Sequence, residues 1–326
     1  GVDGNSYKWF RNDVDMDVTT EINSLTTSEA NPGEYTYYCQ ITNETFNGLT
    51  NSSLTVTSEN ITVTVVEVAN GCRKRDIEAL AEIAEVPGWE ESLFNDQTVF
   101  RNDDGCIIRI NLANKNISGE FPAAFAKLLN LQELYLEQNN ITGTFPSNFA
   151  DLTELSVLHI YENNLGGNLS DHEVVFSLPA IQDLQMYRNG IGGNIPPSIG
   201  NAAKTLSSLS LGDNDLTGDL PVEIYSLTKL FRFHINGNEL TGSISPLIGD
   251  FTDLDHLDIS DNNFSGPIPS ELGSEELTDD NKRFWLQDNQ FTFGDLIPIL
   301  SFDNLGSYSS IIYAPQAGFT TTTPFP

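Results

Sequence analysis

The chain has 326 residues and is strongly acidic, with 46 Asp and Glu against 15 Lys and Arg and a net charge of −31 at pH 7. Hydrophobic residues make up 39% of it, enough for a buried core, which excludes wholesale disorder. Nucleic acid and anionic membranes repel such a polyanion, and no apolar run approaches the ~20 residues of a membrane span, so we expect neither partner. The sequence lacks an initiator Met and a signal peptide, which we interpret as a processed or excised piece.

Residues 1–70 carry hydrophobic side chains with a period of two, which predicts β-strands. The strands are expected at 7–10, 35–41, 54–57 and 61–65. Trp9 resembles the tryptophan of strand C in an immunoglobulin-like domain, and the stretch GEYTYYC, which ends at Cys39, resembles strand F of that fold. Tyr37, two residues before this cysteine, matches a tyrosine corner, and 54–65 resembles strand G.

The resemblance covers only half of such a domain, because strands A and B and the cysteine of strand B are missing. It therefore implies an incomplete all-β sandwich, in which the partner of Cys39 is undefined. Two explanations stay open. Either the sequence begins inside a longer chain, or the missing strands come from another copy.

Residues 71–109 are expected to cap the repeats that follow. Apolar spacing predicts a helix within 73–93 that Pro87-Gly88 ends. Its apolar face is expected to contain Ile77, Leu80, Ala81, Ile83 and Ala84, while Trp89, Leu93 and Phe100 cover the first strand. Cys72 and Cys106 flank the cap and form either a disulfide, which we favour, or two buried thiols. Their separation excludes a CxxC redox or zinc site.

From residue 110 the motif L-x-L-x-x-N-x-L-x-G recurs eight times, at spacings of 24 to 27 residues. The ten-residue cores are INLANKNISG (110–119), LYLEQNNITG (134–143), LHIYENNLGG (158–167), LQMYRNGIGG (184–193), LSLGDNDLTG (209–218), FHINGNELTG (233–242), LDISDNNFSG (257–266) and FWLQDNQFTF (284–293). Such a period predicts a solenoid of stacked repeats over 110–293.

Each position of the motif has a physical reason. The first and third residues are expected to point inward from a short strand, and the Gly at position ten allows a tight turn. The Asn at position six is expected to hydrogen-bond buried turn backbone, which is a structural role and not a ligand site. These ladder asparagines are Asn139, Asn163, Asn189, Asn214, Asn238, Asn262 and Asn289.

The extended pattern L-x-x-N-x-(L/I)-(S/T)-G-x-(I/F/L)-P resembles the plant-type class of leucine-rich repeats over roughly residues 72–306. That class occurs in plant receptor-kinase ectodomains and polygalacturonase inhibitors, and in bacterial and algal surface proteins. The resemblance implies a β-rich α/β solenoid, a right-handed superhelix with a parallel sheet on its concave side. Lys115 in the first repeat and Phe293 in the last depart from the motif, as terminal repeats do when they close the core.

The apolar residues of 294–306 are expected to form a C-terminal cap, and 307–326 an extended, uncharged Thr/Pro tail. Within the tail, Tyr313-Ala314-Pro315-Gln316 resembles the entry into a further immunoglobulin-like domain in secreted bacterial proteins that combine such domains with leucine-rich repeats. The tail is also a candidate donor strand for the incomplete sandwich of another copy. Such head-to-tail contacts build filaments or chains of tandem units.

The concave face is the candidate ligand site. Its strand positions present aromatic, histidine and polar side chains that suit a peptide or a glycan. The candidates are Tyr135, His159, Tyr161, Gln185, Tyr187, His234, Asp258 and Trp285. No catalytic set or cofactor fingerprint appears, so we expect no enzyme, cofactor or metal site.

Two further surface features are predicted. An acidic edge at position five is interpreted as a solvated rim and not as a Ca²⁺ site; it comprises Glu162, Asp213, Asp261 and Asp288. Candidate N-glycosylation sites, about as many as chance gives, are Asn43, Asn51, Asn60, Asn116, Asn140, Asn168 and Asn263. Candidate O-glycosylation sites are Thr320, Thr321, Thr322 and Thr323.

The sequence thus predicts an extracellular, non-enzymatic surface or adhesive protein that assembles head-to-tail. The alternative is a recognition ectodomain or inhibitor that binds a peptide, glycan or wall-degrading enzyme on the concave face. Ice binding is a third hypothesis, which the varied convex residues do not favour.

Overall fold

The chain divides into two compact units, Gly1–Lys74 and Arg75–Pro326. A computed structural model describes residues 5–11, 14–20, 33–43, 54–57, 61–65, 72–273, 283–300 and 311–312. Side chains are described for 72, 74–272, 283–292 and 294–297.

The described part of the first unit is one antiparallel sheet of five strands. The strands are β1 (Asn5–Arg11), β2 (Val14–Thr20), β3 (Gly33–Asn43), β4 (Leu54–Thr57) and β5 (Ile61–Val65). The long β3 lies in the middle. It pairs with β1 along one edge, and with β4 and β5 along the other.

The four predicted strand regions of this unit are confirmed, while β2 was not predicted. The signal was present, because VDMDVTT alternates apolar and polar residues. Trp9 and Cys39 are partners across β1 and β3. Among the described residues of this unit there is no second sheet, so the immunoglobulin-like sandwich stays a prediction.

The second unit contains fifteen described strands. They are β6 (Val99–Arg101), β7 (Ile107–Asn111), β8 (Ser118–Glu120), β9 (Glu133–Tyr135), β10 (Asn140–Thr142), β11 (Val157–His159), β12 (Asp183–Gln185), β13 (Gly192–Asn194), β14 (Ser208–Ser210), β15 (Asp215–Asp219), β16 (Arg232–His234), β17 (Glu239–Thr241), β18 (His256–Asp258), β19 (Arg283–Trp285) and β20 (Ile311–Ile312). Ten of them form one sheet in the order β6-β7-β9-β11-β12-β14-β16-β18-β19-β20. Each repeat supplies one strand of this concave sheet, and all the repeat strands pair in parallel.

The core lies behind this sheet because the apolar positions of the motif point inward. The first, third and eighth residues of every repeat core are buried, from Ile110, Leu112 and Ile117 in the first repeat to Phe291 in the last. Burying each such side chain contributes about 1.5–3 kcal/mol relative to leaving it exposed. The repeats therefore share one continuous core.

Short 3₁₀ turns close the outer side of the solenoid. They span Glu91–Leu93, Ala123–Lys127, Ser147–Asp151, Leu169–Ser177, Pro197–Ala202, Val222–Ser226, Pro246–Asp250 and Ser270–Gly273. Two smaller sheets follow the concave strands: β8 pairs with β10, and β15 pairs with both β13 and β17. The long turn Leu169–Ser177 accommodates the longer spacing of its repeat and buries His172 completely.

The ladder asparagines bind backbone as the motif predicts. Asn214 is buried; its Nδ2 donates to the carbonyls of Met186 and Leu211, and its Oδ1 accepts from the backbone of Asn189 and Ile191. Each bond to the preceding repeat crosses the gap between two turns. The amide thus satisfies buried backbone groups that the short strands leave unpaired.

The N-terminal cap begins with α1 (Cys72–Ala84), and Cys72 and Cys106 are disulfide-bonded. The predicted apolar face was wrong at Ile77 and Ala81, which are exposed, whereas Asp76, Ala79 and Ile83 are buried. The buried face of α1 includes the carboxylate of Asp76, and this charged residue interrupts the apolar spacing on which the prediction was based. The Oδ2 of Asp76 accepts from the backbone N–H of Ile107 at 2.7 Å and so satisfies the start of the first repeat strand.

Two aromatic residues of this cap have different positions. Trp89 is fully buried, packs edge-on against Phe125 at 5.4 Å and donates from Nε1 to the carbonyl of Glu120. Phe100 was predicted to cover the first strand, but it remains 39% exposed on the edge strand β6.

The C-terminal cap begins with α2 (Phe293–Leu300). Phe293 replaces the motif glycine because a helix starts there: Thr292 donates from its backbone and side chain to Asp295 in the first turn. Ile311 and Ile312 of the tail form β20, which pairs in parallel with β19 of the chain's own sheet. The rest of the predicted tail lies outside the described residues.

We predict that Asn214→Ala destabilises the solenoid by at least about 2 kcal/mol, because several buried backbone groups lose their partner at about 1–3 kcal/mol each. Urea unfolding followed by circular dichroism measures this. Asn140→Ala is the matched control, since that asparagine is exposed on β10. Equal stability of the two variants would contradict the ladder's role.

Candidate functional site

The parallel register places the candidate ligand residues in two columns on the concave face. Tyr135, His159, Gln185, Ser210, His234, Asp258 and Trp285 align with one another from strand to strand. Tyr161 and Tyr187 follow two residues later in their repeats and form part of the second column. Residues at the same position of neighbouring strands are about 4.8 Å apart, so their side chains are in contact range.

The first group of contacts, which we name the aromatic band, comprises Phe100, Arg109, Tyr135, His159, Tyr161, Tyr187 and Arg188. Within it, the ring of Tyr135 meets His159 edge-on at 5.1 Å. His159 lies 6.1 Å from Tyr161, which stacks on Tyr187 at 4.3 Å with an interplanar angle of 9°. The rings thus form one unbroken series across β9, β11 and β12.

Two arginines contact the rings of the band. The guanidinium of Arg109 lies between two rings, 5.2 Å from the centre of Phe100 and 4.9 Å from that of Tyr135. Arg188 lies 6.0 Å from the ring centre of Tyr187. Cation–π contacts of this kind hold both side chains against the face.

Carboxylates fix the orientation of the band. Tyr135 donates to Glu133 at 3.0 Å, and the Nε2 of His159 lies 2.9 Å from Asp183. Burial alone would raise the pKa of Asp183, but hydrogen bonds from His159 and Gln185 outweigh it and lower the pKa. Asp183 is therefore a carboxylate at neutral pH and holds the imidazole in place.

The phenols of the band stay neutral. Burial, followed by the neighbouring Glu133, raises the pKa of Tyr135 to about 12. Burial and the adjacent Tyr161 raise the pKa of Tyr187 to about 12 as well. Both hydroxyls are therefore hydrogen-bonding groups and not charges over the physiological range.

Gln185 was predicted to face a ligand, but the structure gives it another position. Only 7% of the surface of Gln185 is exposed. Its Nε2 donates to Asp183 at 2.6 Å and to Ser208 at 2.9 Å. The hydrogen bond from Gln185 therefore helps to hold the carboxylate of Asp183 in position. Ser208 and Ser210, on the next strand, are also buried and separate the aromatic band from the second group.

The second group comprises His234, His256 and Trp285. The ring of His256 lies parallel to Trp285 at 6.2 Å, and His234 meets each of them edge-on at 6.4 Å. The Nε2 of His234 is buried without a hydrogen-bond partner among the described residues. Asp258, beside this group, accepts from Ser260, and burial raises its pKa.

The acidic edge has a structural feature that the sequence analysis missed. Position five has a left-handed backbone, with φ between 50° and 62°, in all eight repeats; the residues are Asn114, Gln138, Glu162, Arg188, Asp213, Gly237, Asp261 and Asp288. Arg188 donates to both Glu162 and Asp213 at 2.9 Å, so part of the edge is an ion-pair network. No group of three or more metal-ligating side chains occurs among the described residues.

The candidate glycosylation sites differ in their surroundings. Asn116 and Asn140 are exposed, whereas the backbone N–H of Asn168 donates to Asp171 at the start of the turn Leu169–Ser177, and the side chain of Asn263 accepts from Gln290. Asn43 lies in β3. Asn51, Asn60 and Thr320–Thr323 lie outside the described residues.

We predict that His234 makes stability fall on acidification. Burial, then the nearby charges of Arg232 and His256, lower the pKa of His234 from 6.5 to about 4. The folded state therefore binds a proton less readily than the unfolded state, and the stability contributed by neutral His234 is lost as pH falls from about 6.5 towards 4.

His234→Gln removes this titration while keeping a polar side chain. Urea unfolding at pH 7.0, 5.5 and 4.5 should show a smaller loss of free energy for the variant than for the wild type. The same loss in both proteins would contradict the assignment.

Comparison with known sequences shows leucine-rich repeats in this chain. One leucine-rich-repeat family model matches residues 108–165 and another matches 253–274. No curated protein matches the sequence. Within the described residues, none of the helices is long and apolar enough to cross a membrane.

Solved structures similar to the chain include plant receptors. The plant peptide hormone receptor RGFR1 in complex with RGF2 is 29% identical, with a TM-score of 0.53 over 63% of this chain and 31% of that one. The ectodomain of the Arabidopsis thaliana receptor kinase GASSHO1/SCHENGEN3, in complex with CASPARIAN STRIP INTEGRITY FACTOR 2, is 30% identical, with a TM-score of 0.51 over 60% of this chain and 22% of that one. A TDR receptor is 26% identical, with a TM-score of 0.55 over 64% of this chain and 34% of that one.

The chain spans only a fifth to a third of the length of these receptors, 22% to 34%. The repeat motif, the parallel concave sheet and these similarities agree. The described part of the second unit has the fold of a leucine-rich-repeat solenoid.

Proposed function

We propose that the chain is a non-enzymatic, extracellular recognition protein whose concave face binds a peptide in extended conformation. The observation that carries the proposal is the aromatic band. Its rings, arginines and carboxylates contact one another across neighbouring strands and so form a surface of fixed shape.

A pre-ordered surface of this kind favours binding. Side chains that are already held by their neighbours lose little conformational entropy when a ligand arrives, a loss that otherwise costs about 0.5–1.5 kcal/mol for each flexible side chain. Tyrosine and arginine are also the residues that contribute most at protein interfaces. The band from β6 to β12 crosses five strands, about 19 Å at ~4.8 Å a strand, which matches about six residues of extended peptide.

The comparisons support a peptide in particular. The similar receptors include a peptide hormone receptor and an ectodomain in complex with a further factor. The polar groups on the face support recognition over catalysis, because His159 and Asp183 bind each other and the phenols of Tyr135 and Tyr187 stay protonated. These groups hold the surface in shape.

Head-to-tail assembly through the tail is the alternative proposal. Ile311 and Ile312, which the structure describes, extend the chain's own sheet. This position favours the recognition role, since a strand that pairs within its own solenoid is not free to pair with another copy.

We predict that Tyr187→Ala weakens binding of a peptide selected from a random library on the wild type. Loss of a large aromatic contact of this kind typically costs about 2 kcal/mol, roughly a 30-fold rise in Kd. Isothermal titration calorimetry measures it. Val222→Ala is the control, because Val222 is 65% exposed on an outer turn. Equal weakening by both substitutions, or by neither, would contradict the proposed site.

We also predict that the purified chain is a monomer in light scattering at physiological ionic strength. Electrostatic repulsion between copies with a charge of −31 opposes association. Concentration-dependent polymers that disappear when 307–326 is removed would instead favour head-to-tail assembly.

A further inference from the structure

The protein holds its own arginines on the concave face with a repeated pair of groups. Arg109 lies 4.9 Å from the ring centre of Tyr135, and its Nε is 3.3 Å from a carboxylate oxygen of Glu133. The guanidinium thus combines a ring contact with an ion pair. Guanidinium groups suit this combination because they are planar, stack on aromatic rings and donate to carboxylates.

The same arrangement recurs elsewhere in the band. Arg188 lies 6.0 Å from the ring centre of Tyr187 and donates to Glu162 at 2.9 Å. Two tyrosine–glutamate pairs of this face therefore each contact an arginine from the chain itself.

A third tyrosine–glutamate pair lies between them. Glu137 and Tyr161 occupy position four of neighbouring repeats. The two repeats are joined at this point by a hydrogen bond of 3.0 Å from the backbone N–H of Gln138 to the carbonyl of Tyr161. Tyr187 covers one face of the Tyr161 ring at 4.3 Å, and Glu137 is on the side of the preceding strand. Burial, and then the negative charge of Glu137, raise the pKa of Tyr161.

This third pair differs from the other two in its partners. Among the described residues, no arginine guanidinium lies over the ring of Tyr161. The Oε2 of Glu137 is buried and has no hydrogen-bond partner in the described part of the chain. A buried carboxylate oxygen without a donor is unfavourable, so turning this carboxylate outward to a donor that a ligand brings gains binding free energy.

We propose that Glu137 and Tyr161 bind the guanidinium of an arginine side chain in the peptide ligand. This inference rests on the peptide-recognition role proposed above and assigns the chemistry of one ligand residue. The arginine contacts the ring of Tyr161 and pairs with the carboxylate of Glu137, as Arg109 does through an ion pair with Glu133 and Arg188 through a hydrogen bond to Glu162. Arginine is preferred over lysine, since an ammonium group lacks the planar face and the paired donors.

The test is a selection from a displayed library of random dodecapeptides on the full chain. The wild type, Glu137→Gln and the matched control Glu154→Gln are used as baits. Glu154 is exposed, and its carboxylate accepts a hydrogen bond of 3.2 Å from Gln132, which is also exposed. The wild type and the control should enrich arginine at one fixed peptide position, and Glu137→Gln should not.

A second measurement needs no protein variant. The most enriched peptide is synthesised with its fixed arginine, with lysine and with neutral citrulline, and each Kd for the wild type is measured by calorimetry. Citrulline should raise Kd by about tenfold or more, the effect of losing one charge-assisted hydrogen bond. Lysine should give an intermediate Kd.

Each result has a distinct meaning. Peptides that bind without arginine enrichment, an enrichment that survives Glu137→Gln, or an unchanged Kd with citrulline would overturn the assignment and leave peptide recognition standing. If the wild type selects no peptide at all, peptide recognition itself fails, and the arginine site fails with it.

Discussion

The parallel pairing of short, equivalent strands is the constraint on which the rest of the solenoid depends. Three-residue strands leave most of each repeat's backbone outside the ladder, and buried backbone groups must find partners. The ladder asparagines supply them: the Oδ1 of Asn139, for example, accepts from Lys115 and Ile117 of the preceding repeat. Because all seven ladder asparagines donate from Nδ2 to the third-position carbonyl of the preceding repeat, the strands keep one register and a spacing of about 4.8 Å.

That register decides what the concave face can do. Side chains at one motif position line up across strands, so large residues in adjacent repeats must touch. Tyr161 and Tyr187 stack for this reason, whereas His256 meets Trp285 diagonally, since its own partner in the register is Arg283. Small residues in the middle repeat, such as Ser210, divide the face into two groups. The function proposed here follows from which side chains the register brings together, since the scaffold itself is uniform.

The repeat period made the solenoid, the inward positions and the asparagine ladder predictable, because each depends on one residue type at a fixed position. Other features depended on contacts between repeats and were missed. Gln185 looked exposed by position, yet its amide reaches Asp183 and Ser208. The buried face of the capping helix was predicted wrongly at Ile77 and Ala81, because the buried stripe includes Asp76. The ion pairs of Arg188 with Glu162 and Asp213 were not predictable from the sequence, since these partners lie on neighbouring repeats.

The four histidines allow the most direct test of the claim that the concave face is the binding surface. His159, His234 and His256 are on that face, whereas His172 is buried in an outer turn. Selective isotope labelling of the histidine rings allows each to be followed by NMR during titration with a selected peptide. The account predicts that the His159 signals shift with saturation while those of His172 stay in place. Shifts confined to His172, or no shift at saturating peptide, would contradict it.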